Sequence, residues 1–75
     1  MDHLLFEAQL FGGLGNGLTI KLQEFVPQVT IFRNGGPAVA VPGNVEAEAY
    51  PDGVRLGVYE LAGPVGPDTP IYVSR

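Results

Sequence analysis

Apolar and polar residues alternate along this chain in short bursts, and each burst stops at glycine or proline. Leu18, Ile20 and Leu22 fall on one side of an extended segment running to Val26, and Thr19, Lys21 and Gln23 on the other. A period of two over such a length is the pattern of a half-buried strand. Pro27 interrupts it, as proline does at a bend, a bulge or a sheet edge. Val29, Thr30, Ile31 and Phe32 continue as a second strand to Arg33, and Asn34-Gly35-Gly36 returns the chain into Ala38-Val39-Ala40-Val41. A three-residue loop there pairs Ile31 with Val39 and Val29 with Val41, which puts apolar pairs on one face.

Pro42-Gly43-Asn44 and Pro51-Asp52-Gly53 punctuate the next stretch. The pattern places Val45, Ala47 and Ala49 on a strand face shared with Val54, Leu56 and Val58. Glu46, Glu48 and Tyr50 then share the other face with Arg55, Gly57 and Tyr59. A three-residue turn at Pro51-Asp52-Gly53 gives the opposite parity, so this reading requires a four-residue loop or an extra bulge.

The ends differ from the middle. Residues 1–11 alternate as a strand, although Leu4, Leu5, Ala8 and Phe11 also fit one face of a short helix stopped by Gly12. The extended reading is preferred. Four glycines within residues 12–17 predict a flexible hinge. Pro64, Pro67 and Pro70 recur every third residue, the repeat of polyproline II, and Ile71-Tyr72-Val73 follows as a short strand. The expected fold is all-β: a small antiparallel β-sandwich or barrel with an extended N-terminal arm and a Pro-rich C-terminal tail. Residues 1–17 form the arm and Gly-rich hinge, 18–62 a β-meander core, and 63–75 the tail with its terminal strand.

Composition narrows the function. Seventy-five residues make one domain, with too small a core to be comfortable alone. Such chains are completed by disulfides, a metal or a partner. With no cysteine and one histidine, His3, a partner remains. The net charge of −4 and the scatter of Arg33, Arg55 and Arg75 argue against nucleic acid. No apolar run is long enough for a membrane-crossing helix, and no signal peptide is visible, so the expected location is cytoplasmic, or the virion if the protein is viral.

Catalytic groups are sparse. Ser74 is the only serine and lies at the opposite end from His3. A nucleophilic pair would need the two termini to meet. The glycine run lacks the spacing and the following Lys-Ser/Thr of a phosphate loop. Its Gly12-to-Gly15 spacing also lacks the basic, two-helix setting of an RNA-clamping loop. The prolines of the tail lack the nearby arginine of an SH3 ligand. Glu46 and Glu48 lie two apart beside Asn44; such a pair could do acid–base work or bind calcium but is short of the carboxylates calcium wants, and it reads either as a solvated strand face with Glu48 near Arg55 or as an acidic strip facing a partner.

The sequence therefore points to a protein that is not an enzyme and carries no cofactor. It predicts a homo-oligomeric structural module that binds a larger protein assembly, most concretely a capsid decoration or cement protein of a tailed phage. The assembly arms are Leu4, Leu5, Phe6, Leu10 and Phe11 at one end and Ile71, Tyr72 and Val73 at the other. Two other readings compete: an acidic adaptor or inhibitor of a host protein acting through Glu46, Glu48 and Glu60, and a small enzyme working through carboxylates.

Overall fold

A computed structural model describes residues 6–24, 26–63 and 70–75. Six strands occur in them: β1 (Phe6–Phe11), β2 (Thr19–Leu22), β3 (Gln28–Arg33), β4 (Val39–Pro42), β5 (Val54–Ala62) and β6 (Ile71–Ser74). One 3-10 turn, η1, covers Ala47–Ala49. The strands form a single sheet in the order β2-β1-β6-β5-β3-β4, which curls until β2 and β4 approach each other without pairing. The fold is all-β, as expected, and resembles a barrel that stops one seam short of closure.

The interior is built by the period-two pattern. Ala8 and Leu10 of β1, Ile20 and Leu22 of β2, Val29 and Ile31 of β3, Tyr59 of β5 and Tyr72 of β6 are buried together. The end segments are thus integral to the sheet. β1 lies between β2 and β6, and it pairs with β6 in parallel, Gln9 opposite Ile71 and Phe11 opposite Val73. That parallel contact makes the sheet mixed rather than a simple meander. It also overturns two assignments to the assembly arms, because Leu10 and Tyr72 are core residues with no exposed surface. Each stands at an inward position of an interior strand, and burying a Leu or an aromatic side chain in its own chain stabilises by about 1.5–3 kcal/mol.

Two registers differ from the expectation. Ile31 is opposite Ala40 and Val29 opposite Pro42, one residue away from the predicted pairing. Ala38 and Ala40 therefore turn toward the core and Val39 and Val41 away from it. β5 carries a bulge of its own against β3: Ile31 is opposite Gly57 and Phe32 opposite Arg55, leaving Leu56 without a counterpart. Gly57, at φ +133, takes a backbone conformation that an L side chain rarely adopts. The bulge resets the parity, so Leu56 packs on the core and Tyr59 follows it inward.

The expected strand at 45–49 is not formed. Residues 43–53 instead cross the outer face of β3 as a strap. β3 is buried on both faces, and the strap covers Thr30 and Phe32. The Thr30 hydroxyl donates to the Gly43 carbonyl at 2.7 Å and accepts from the Val45 amide at 3.0 Å. Tyr50 stacks on Phe32 with ring centroids 5.3 Å apart. A strand paired to β5 would leave Phe32 in water, and this arrangement buries it.

The glycine run is likewise not a free hinge. Gly17, at φ +87, donates to the Leu10 carbonyl at 2.9 Å while the Leu10 amide donates to Leu18 at 2.9 Å, the hydrogen-bond pattern of a glycine β-bulge. The buried Tyr59 hydroxyl accepts from the Gly15 amide at 2.8 Å and donates to the Gly12 carbonyl at 2.6 Å. Asn16 closes the turn by accepting from the Gly12 amide at 2.8 Å. A Cβ on Gly15 would sit 2.9 Å from the Tyr59 hydroxyl, so the close approach selects glycine there.

Candidate functional site

Strand alternation sets which side chains the barrel presents outward. On β1 and β6 the outward residues include Gln9, Phe11, Ile71 and Val73, and the ladder places Gln9 beside Ile71 and Phe11 beside Val73. β5 continues those rows with Ala62 beside Ile71 and Glu60 beside Val73. Phe11, Ile71 and Val73 thus form one apolar strip across the middle of the sheet, and they are 43%, 40% and 38% exposed. Its border is polar: Gln9 on one side, and Glu60 with Arg75, 3.7 Å apart, on the other. Phe6, 39% exposed, lies at the start of β1. Four of the eight expected arm residues are therefore exposed, but as a surface of the sheet rather than as arms. Leu4 and Leu5 lie outside the described residues, as does His3 with any pairing to Ser74. Pro64 and Pro67 of the proline repeat do too.

The second surface is the seam between β2 and β4. A groove of about 470 Å³ runs along it between Thr19 and Lys21 on one wall and Pro37, Ala38, Val39 and Ala40 on the other. A smaller hollow of about 210 Å³ continues it between Lys21, Leu22 and Glu24 and the opposing Ala40 and Pro42. Lys21 and Ala40 belong to both. Neither Lys21 nor Glu24 forms an ion pair among the described residues.

Glu46 and Glu48 are exposed, but the strap carries them, not a strand face. Glu46 precedes the 3-10 turn and Glu48 is inside it. Arg55 does not pair with Glu48: its guanidinium donates to the Val45 carbonyl at 3.0 Å and to Asn44 Oδ1 at 3.2 Å. Two neutral acceptors of the strap's own backbone and side chains take the cation, so Arg55 fastens the strap and leaves both carboxylates to solvent. Among the described residues no three His, Asp or Glu side chains group as a metal site would require, and no helix is long and apolar enough to cross a membrane.

Three hydroxyls inside the fold bond backbone rather than face a cavity: Thr30, Tyr59 and Tyr72, the last donating to the Val26 carbonyl at 2.5 Å. Burial pushes the Tyr72 phenol above its ordinary value of 10.0, and the bond to Val26 acts in the opposite direction. The sequence reading missed the anchoring role of all three. The available signal was position for Tyr72, which stands between Ile71 and Val73 on a short strand, where a buried hydroxyl needs a partner.

Comparison with known proteins finds no matching family model, no matching curated protein and no matching solved structure.

Proposed function

We propose that this chain is a non-enzymatic structural module that self-associates and binds a larger protein assembly, with a second copy docking on the outer strip of β1 and β6. The observation that carries this reading is the adjacency of Phe11, Ile71 and Val73 at the centre of the outer face, bordered by Gln9, Glu60 and Arg75. An apolar centre with a polar rim is the usual anatomy of a protein interface. A small core adds to the argument, since chains of this size gain stability by burying surface against a partner. The most concrete form of the proposal is a decoration or cement protein on a viral shell such as that of a tailed phage, and its place would then be the virion. That form is supported by the small size, the acidity and the sparse catalytic inventory of the chain.

Light scattering on a sizing column tests the self-association, with the full chain compared against Val73→Asp. The expected result is a discrete oligomer that the substitution converts to a folded monomer, because it puts a charge at the centre of the apolar contact without entering the core. A full-length monomer at about 100 μM, two decades above a micromolar dissociation constant, overturns the homo-oligomer. That outcome favours the acidic adaptor, whose exposed Glu46 and Glu48 form no ion pair among the described residues.

A further inference from the structure

The seam has a polarity that the strand order dictates. β1 runs antiparallel to β2 and parallel to β6, and each later neighbour in the order β6-β5-β3-β4 is antiparallel to the one before. β2 and β4 therefore run in the same direction on the two sides of the gap. One strand running the opposite way would be antiparallel to both.

The backbone groups that would meet such a strand follow from the ladders. Leu10 bonds Leu18 across β1 and β2, so Leu18, Ile20 and Leu22 direct their N–H and C=O groups to β1. Those of Thr19 and Lys21 point into the seam. On the other wall the Gly43 amide donates to the Gln28 carbonyl at 2.8 Å, so Val41 and Val39 face β3. Ala40 and Pro42 direct theirs outward, and Pro42 offers only a carbonyl. These are the same residues that line the two hollows.

We propose that the seam is a strand-acceptor site for an extended segment of a partner protein, inserted antiparallel to β2 and β4 and recognised by the Lys21 ammonium. Main-chain bonds supply the affinity in this mode and alternate side-chain positions the selectivity. The charges set the sequence. Lys21 stands in the middle of the seam and Glu24 toward the end where β2 stops, neither with an ion-pair partner among the described residues. An antiparallel occupant enters from the Glu24 end. It carries a basic residue opposite Gln23, one position short of Glu24, and an acidic residue two positions later, opposite Lys21. Its inward alternate residues are apolar, because they meet Leu22, Ala38 and Ala40. The Cα atoms of β2 and β4 approach within 8 Å, and two strand spacings need about 9.5 Å, so the walls must part by at least about 1.5 Å. β2 is joined to the sheet only through β1 and β4 only through β3, so each wall of the seam is a single edge strand.

The probe is the capped hexapeptide Val-Lys-Val-Asp-Val-Thr, titrated into the isotope-labelled full chain and followed by amide chemical shifts. Its charge-swapped isomer, Val-Asp-Val-Lys-Val-Thr, is the comparison. The expected result is saturable shifts centred on Thr19, Lys21 and Ala40, with a dissociation constant of about 1 mM or tighter and at least tenfold weaker binding of the isomer. Ala40→Pro removes a donor that faces the seam and spares the ladder to β3, so it abolishes the shifts while the spectrum stays dispersed. Should that variant fail to fold, Lys21→Glu replaces it and must reverse the preference between the two peptides. Equal response to both peptides, shifts centred elsewhere, or no saturable shift overturns the proposal. Shifts of the same amides on concentrating the protein alone overturn it in favour of a second copy in the seam. The Val73→Asp variant keeps peptide binding, which separates this site from the outer strip.

Discussion

Tyr59→Phe removes the one oxygen that holds the glycine loop to the barrel and tests whether that loop is anchored. The ring stays, so the apolar packing of a fully buried side chain is unchanged. Two hydrogen bonds go: the one from the Gly15 amide and the one to the Gly12 carbonyl. Gly12 is exposed, and its carbonyl turns to water, leaving a net loss of about 0.5–1.5 kcal/mol. Gly15 is buried, and its orphaned N–H costs about 1–3 kcal/mol. The sum is about 1.5–4.5 kcal/mol, against a total stability of roughly 4–11 kcal/mol for a chain of this length. Urea unfolding followed by circular dichroism measures it, and the midpoint should fall with the slope unchanged. The melting temperature should fall by about 6–36 °C. Tyr72→Phe is the internal reference, since it loses a single bond to Val26 and should cost less. A loss below about 0.5 kcal/mol for Tyr59→Phe, or a larger loss for Tyr72→Phe, would refute the anchoring argument. Gly15→Ala pushes a methyl group against the same hydroxyl, so its cost and that of Tyr59→Phe should add to more than the double variant shows.

Thr30→Val should free the strap, because the lost hydroxyl serves both Gly43 and Val45. The expected cost is about 1–3 kcal/mol, with amide exchange at Val45 rising well above that at Leu61, whose bond to the Pro27 carbonyl is untouched. Stability should also depend on alkaline pH through Tyr72. Its folded phenol holds the proton more tightly than the unfolded one, so its contribution is full below pH 10 and disappears as pH rises through the raised folded value. Urea midpoints taken from pH 8 to 12 should decline less steeply for Tyr72→Phe than for the parent chain, and parallel declines would exclude this residue as the cause.

The separation between what the sequence carries and what it does not can be seen in single residues. The alternation of Leu18, Ile20 and Leu22 required a strand with one buried face, and β2 has it. The turn glycines and prolines required short strands. These are local properties, since side-chain period and turn chemistry act over a few residues. Glu46 and Glu48 show the limit. Their stretch alternates like a strand, yet it folds as a strap because Phe32 and Thr30, more than a dozen residues earlier, offer a surface to cover and a hydroxyl to bond. Leu10 and Tyr72 show the same limit at the two ends. Their hydrophobicity was legible, but whether it served the chain or a neighbour depended on the parallel contact of β1 with β6. The candidate surfaces are likewise tertiary. Phe11, Ile71 and Val73 become one strip only through the ladder register, and Lys21 faces Ala40 only because the sheet curls. The sequence by itself determined an all-β chain, its short strands and its scarcity of catalytic groups. The curl that brings β2 to β4, and with it the open seam, was decided by non-local strand pairing, which no local pattern encodes.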